Sequence, residues 1–225
     1  MKTVEAPQST AKLPTVKEMP AAEKFSKVIA DARFTRDLVT PFVREHISEE
    51  AVSELRNTWR QGIQPIPKDA PPEEKYEKAY ANTMWIGSSS LGFIREKLGE
   101  DGMDEWVRTE AEDLKRRNAG PAVLLLSLIR AVAPEFAFRM MAKQMSYELQ
   151  WLTPFDVTEL TGSKVVYSIP RCKVLDYPNT EDVCQVGCQR VYPQWQAEQF
   201  KARMSYERVD HSCTCTVTPL RKELK

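Results

Sequence analysis

The chain reads as an α+β protein: an N-terminal helical bundle followed by a small ββαββ antiparallel sheet module. Three observations predict this. From Ala21 to about Gln150 apolar residues recur at helical spacing. Beyond that point they alternate with polar residues on either side of one further helical stretch. The composition, 42% hydrophobic and 28% charged over 225 residues, supplies enough apolar surface for a core and excludes wholesale disorder or a fibrous architecture.

Residues 1–20 carry Pro7, Pro14 and Pro20 among polar side chains and read as a mobile tail. The helical region is expected over residues 21–150 and a cysteine-containing α+β module over residues 151–225, the two packed as one unit. The first helix is carried by Phe25, Val28, Ile29, Ala32 and Phe34, and continues past Pro41 through Phe42 and Val43. Ser48 reads as the N-cap of a second helix that reaches about Gln61, with Glu49 and Glu50 in its first turn. Four prolines between Gln64 and Pro72 make an extended connector.

Helical spacing resumes at Glu73 with Tyr76, Tyr80, Met84 and Trp85 and runs to Leu98, where Gly99 suits a C-cap. Within it, Gly87 to Gly92 with three serines either lines a pocket or allows close packing or a kink. Two more helices are predicted, Met103 to Arg117 and Pro121 to Leu149, the second broken near Pro134. The most apolar run, Ala122 to Ala133, is far shorter than the roughly twenty residues of a membrane span and reads as a buried helix. In the module, Phe155 to Leu160 and Val165 to Ile169 flank Thr161-Gly162-Ser163 as a hairpin, Thr180 to Phe200 is helical, and Arg203 to Val209 and Cys213 to Val217 are strands. Tyr192, Trp195 and Phe200 form a stripe expected in the core, with a bend at Pro193.

Thirty-two basic residues balance thirty-two acidic ones, which removes the long-range positive field used by nucleic-acid binders and peripheral membrane proteins. A small-molecule partner is expected, with no nucleic acid and no membrane, and a homo-oligomer is left open. No apolar leader is visible in the first twenty residues, so a cytoplasmic location is expected, where thiols stay reduced.

All five cysteines lie at or beyond position 172, as Cys172, Cys184-x-x-x-Cys188 and Cys213-x-Cys215. On a helix, Cys184 and Cys188 share a face; on a strand, Cys213 and Cys215 do. If those faces meet, Cys184, Cys188, Cys213 and Cys215, with Cys172 as a substitute, could hold zinc or an iron–sulfur cluster. Alternatively some are apolar fillers, or one is a nucleophile. His211, one of two histidines, lies close before Cys213 with Asp210 beside it, the residue types that move a proton and orient a base, although a turn between strands accounts for them equally. Asp182 suits a helix N-terminus, Arg171 either a substrate carboxylate or solvent, and His46 a helix end at the surface.

The order Tyr167-Ser-Ile-Pro-Arg-Cys172, a helix starting near Cys184, Met204-Ser-Tyr-Glu-Arg208 and a closing strand with Cys213 resembles the L-2-amino-thiazoline-4-carboxylic acid hydrolase family. The resemblance implies helices first, then strand, helix and strand each bearing a cysteine, with Cys172, Cys184 and Cys213 as the family-type thiols. It also implies a hydrolase opening a carbon–nitrogen bond of a small cyclic or amidine-like substrate. Cys184 or Cys172 would attack, His211 would move protons and Asp210 would orient it. The chain departs from the family pattern at Cys188, where an acidic residue is common, and at Asp210-His211-Ser212, where glycines are common. The extra thiols Cys188 and Cys215 leave a second reading, a non-hydrolytic metal-binding or iron–sulfur protein for sensing or electron transfer.

Overall fold

The computed structural model describes residues 17–220. Five helices, α1 (Ala21–His46), α2 (Glu49–Gly62), α3 (Pro72–Arg117), α4 (Pro121–Val132) and α5 (Pro134–Glu148), precede strands β1 (Asp156–Leu160) and β2 (Val165–Ile169). A wide helix over residues 183–200 then leads to β3 (Ala202–Val209) and β4 (Ser212–Pro219). The architecture is the α+β arrangement read from the sequence.

Local chemistry sets the boundaries. Ser48 accepts a hydrogen bond from the Ala51 amide at 3.2 Å and so caps α2. Helix α3 breaks at Gly99, whose φ of 67° a side chain would resist, so Pro72 to Leu98 and Glu100 to Arg117 are two helical arms joined at a sharp bend. The proline-rich connector is clamped by Asn82, which accepts from the Gln64 amide at 2.9 Å and donates to the Gln64 carbonyl at 2.8 Å.

The expected mobile tail over residues 1–20 is corrected at its end. Residues 1–16 lie outside the described residues, but Met19 is buried and its amide donates to Gln150 Oε1 at 2.8 Å, so the segment before α1 is tied down.

The sheet has strand order β1-β2-β4-β3 with every neighbouring pair antiparallel. Register places Tyr167 and Tyr206 on either side of Cys215, and Ile169 and Arg208 on either side of Cys213. One face, with Val165, Tyr167, Met204, Cys215 and Val217, packs against Phe138, Met141 and Ala142 of α5. The bundle has its own core around Val39, Val43, Leu55, Ile94 and Trp106, which Val186 and Val191 of the wide helix complete. Cys172 and Val174 pack with Val28, Tyr76 and Tyr80 in a third cluster. Bundle and module therefore share cores.

The wide helix departs from the regular helix expected. Val183–Val191 and Gln196–Phe200 take the π form, with α geometry only over Tyr192–Trp195. Pro193 supplies a physical reason: it lacks an amide proton and its ring would strike the carbonyl four residues earlier, and widening the turn relieves both problems.

Helix α4 corrects the reading of Ala122 to Ala133 as buried. Leu124 is 69% exposed, Leu128 68% and Val132 85%, because the helix packs along only one side and its other apolar face meets solvent. No helix among the described residues is long and apolar enough to cross a membrane.

Candidate functional site

Between α4 and α5 on one side and the sheet and wide helix on the other lies a cavity of about 780 Å³. Its size falls within the range of small-molecule sites. The walls are mostly apolar, with Leu126, Ile129, Met141 and Met145 from the helices and Ile169 and Met204 from the sheet. Tyr192, Trp195 and Phe200, expected as core, stand on the wall of this cavity. They occupy one side of the wide helix, with Trp195 edge-on to Phe200 at 5.3 Å between ring centroids.

All five cysteines line the same cavity, and all are free thiols. Cys184 and Cys188 of the wide helix and Cys213 and Cys215 of β4 thus line one cavity. The finer expectation of a metal centre does not fit: among the described residues no group of three or more His, Cys, Asp or Glu side chains is gathered so as to hold a metal ion. Cys172 lies in the segment after β2, Cys184 and Cys188 on the wide helix, and Cys213 and Cys215 on β4, so the five thiols line the cavity from three places in the chain. A tetrahedral zinc or a cluster needs four sulfurs at bonding distance of one centre.

The thiols are not equivalent. Burial pushes Cys188 well above the ordinary thiol range, and the neighbouring thiols reinforce the shift. Burial likewise raises Cys172, pushes Cys213 up to about 11 and Cys215 up to about 12. Cys184 differs in its contacts: Arg208 Nη1 lies 3.8 Å from its sulfur and Gln189 Nε2 3.9 Å away. Arg208 is held in place by Glu181 at 2.5 Å and by donating from Nε to the Asp210 carbonyl at 2.9 Å. Its guanidinium is raised above its ordinary value, first by the Glu181 hydrogen bond and further by the Cys184 sulfur.

His211 and Asp210 do not join the thiols. They form the two-residue turn between β3 and β4, where Asp210 has a φ of 51°, a left-handed conformation that Asp tolerates. Neither side chain is on the cavity wall. The His211 ring is 58% exposed, with Nδ1 3.8 Å from Asp176 Oδ1, and only its carbonyl approaches the site, accepting from the Cys172 amide at 2.7 Å. The register that forms the tight turn necessarily places its two central residues beyond the ladder. Arg171 is solvated and paired with Asp176 at 2.8 Å, Asp182 pairs with Arg95, and His46 is exposed at the end of α1 beside Phe42.

A second, smaller cavity of about 80 Å³ adjoins the first, and Leu152, Val174, Cys188 and Tyr192 line both. Asp31 of α1 and Glu110 of α3 enter it from opposite helices, with Gly87 and Ser90 also on its wall, so the glycine–serine stretch of α3 does line a pocket. Burial pushes Asp31 up to about 7; burial, with the charge of Asp31 next, pushes Glu110 up to about 8. These two residues were missed in the sequence, yet their signal was there: Asp31 interrupts the stripe Val28, Ala32, Val39, and Glu110 the stripe Met103, Trp106, Val107, Leu114, each an acid at an apolar position. Arg208 was legible in the same way, as a cation on the inward-facing phase of Met204 and Tyr206.

No protein-family model, curated protein or solved structure matches this chain.

Proposed function

We propose that the chain is a cysteine-dependent hydrolase that opens a carbon–nitrogen bond of a small, largely apolar cyclic or amidine-like molecule held in the larger cavity, with Cys184 as the nucleophile. The observation that carries this reading is the placement of Cys184 on that cavity wall with Arg208 Nη1 3.8 Å from its sulfur.

With His211 outside the cavity, proton transfer is assigned to the substrate. An amidine nitrogen is basic enough to take the Cys184 proton, and the sulfur then attacks the amidine carbon, forming a carbon–sulfur bond. The carbon–nitrogen bond breaks with its electron pair leaving on the protonated nitrogen. Water adds to the same carbon and expels the sulfur, which recovers a proton. Arg208 stands where negative charge develops on sulfur, and Gln189 is placed to donate to the same atom.

The test is turnover of a panel of cyclic amidines and thiazolines by the full chain, with mass-spectrometric trapping of the covalent adduct. Cys184→Ser is expected to abolish turnover and adduct with an unchanged melting temperature. Turnover surviving that change would overturn the assignment.

A further inference from the structure

We infer that the Asp31–Glu110 cavity is a subsite for the N–H-bearing cationic head of an organic amine or amidine, whose apolar body lies in the larger cavity. It stands whether or not Cys184 reacts.

The hydroxyls on the wall of the small cavity have no proton to spare for the two acids. Thr83 donates to the carbonyls of Val28 and Ala79, at 3.3 and 2.9 Å, and Ser90 donates to the Ile86 carbonyl at 2.6 Å while accepting from Trp59 Nε1 at 3.1 Å. Among the described residues neither Asp31 nor Glu110 meets a cationic side chain at ion-pair distance, although ion pairs are common elsewhere on the molecule. A second observation is the indole of Trp106. It is 2% exposed and lines this cavity, and its Nε1–H, close enough to Glu110 to favour that carboxylate's charge, has no partner at hydrogen-bonding geometry. A buried donor and two buried carboxyls left incompletely paired are costly in an empty site and become favourable when a guest draws the Glu110 carboxylate into charge and against the indole N–H.

Size and access select the guest. A cavity of about 80 Å³ admits an ammonium or amidinium head and not a whole organic molecule. The larger cavity lies against it across Cys188 and Tyr192, which line both, and supplies the space for an apolar body. The charge also balances: a monovalent head pairs with one carboxylate while the other acid keeps its proton, so binding near neutral pH displaces up to one proton. The other titratable groups that bear on the pair are Tyr192 and Cys188, both kept neutral by burial, and Asp113, which Arg116 and Arg117 already neutralise.

The experiment is calorimetric titration of the full chain at pH 6.5 with benzamidine and with butyl- to hexylammonium, in two buffers of different ionisation enthalpy. Neutral benzamide and butanol serve as controls. Saturable binding of one cation with release of up to one proton is expected, tightening about fourfold per added methylene. Asp31→Asn and Glu110→Gln are each expected to weaken it at least tenfold; because binding is read without turnover, the result separates failure of this subsite from failure of the nucleophile. Equal binding of the alcohol and the amine, or affinity unaltered in both acid variants, would overturn the inference. Should a variant fail to fold, the side-chain carboxyl carbon resonances of the unaltered protein decide: benzamidine shifts those of Asp31 and Glu110 if the inference holds, and leaves them in place if it does not.

Discussion

Asp31→Asn keeps the shape of the side chain and removes its charge. In the folded chain burial pushes Asp31 up to about 7 from an ordinary value of 3.8. Between those values the folded state holds a proton that the unfolded chain has released. Each pH unit across that window therefore removes about 1.4 kcal/mol of stability. The stabilising contribution of the neutral acid is fully present below about pH 4, and its loss is complete once the pH passes about 7. Three units give an upper limit of about 4 kcal/mol; water drawn into the cavity to solvate the carboxylate should reduce this to about 2 kcal/mol. The asparagine variant escapes that loss, and Glu110, relieved of a neighbouring charge, shifts in the same favourable direction. Urea denaturation of both proteins at pH 5 and pH 8 checks this. Only two of those three units lie between pH 5 and pH 8, so the stability of the variant relative to the parent should rise by about 1 kcal/mol between the two, or about 2–4 °C in melting temperature for a chain of this size. An identical difference at both pH values would refute the reasoning, since it would mean that Asp31 is ionised in the folded protein at both.

Gly62→Ala is expected to destabilise by about 1–3 kcal/mol, because its Cβ would sit 2.2 Å from Trp85 Cε2; a thermal melt reads this. Asn82→Ala removes both hydrogen bonds to Gln64 and should cost about 1–3 kcal/mol, with faster amide exchange at Gln64 as the local sign. Phe138→Ala, in the core between α5 and the sheet, should cost about 3–5 kcal/mol by denaturant unfolding, while Leu128→Lys on the solvent face of α4 should stay within about 0.5 kcal/mol.

The contrast between Phe138 and Leu128 shows where sequence reading stops. Both are large apolar residues on helices with clear apolar character, and only the position of the neighbouring element decides that one is covered and the other is not. Gly99 and Ser48 were readable because their effect is local: a positive φ needs glycine, and a hydroxyl three residues before an orphan amide caps it. The π turns of the wide helix were not, although Pro193 marked a disturbance, since a bend and a widening of the turn relieve the same clash.

The sequence by itself determined the element order, the change of period at the start of the sheet module, and the strand phase that puts Cys213 and Cys215 on one face, because these follow from side-chain spacing along a single element. Tertiary structure alone decided that the five thiols line one cavity, that His211 lies outside it, and that Asp31 and Glu110 line a smaller pocket together. Each of those outcomes depends on the distance and angle between elements far apart in the chain, which spacing along one element does not contain.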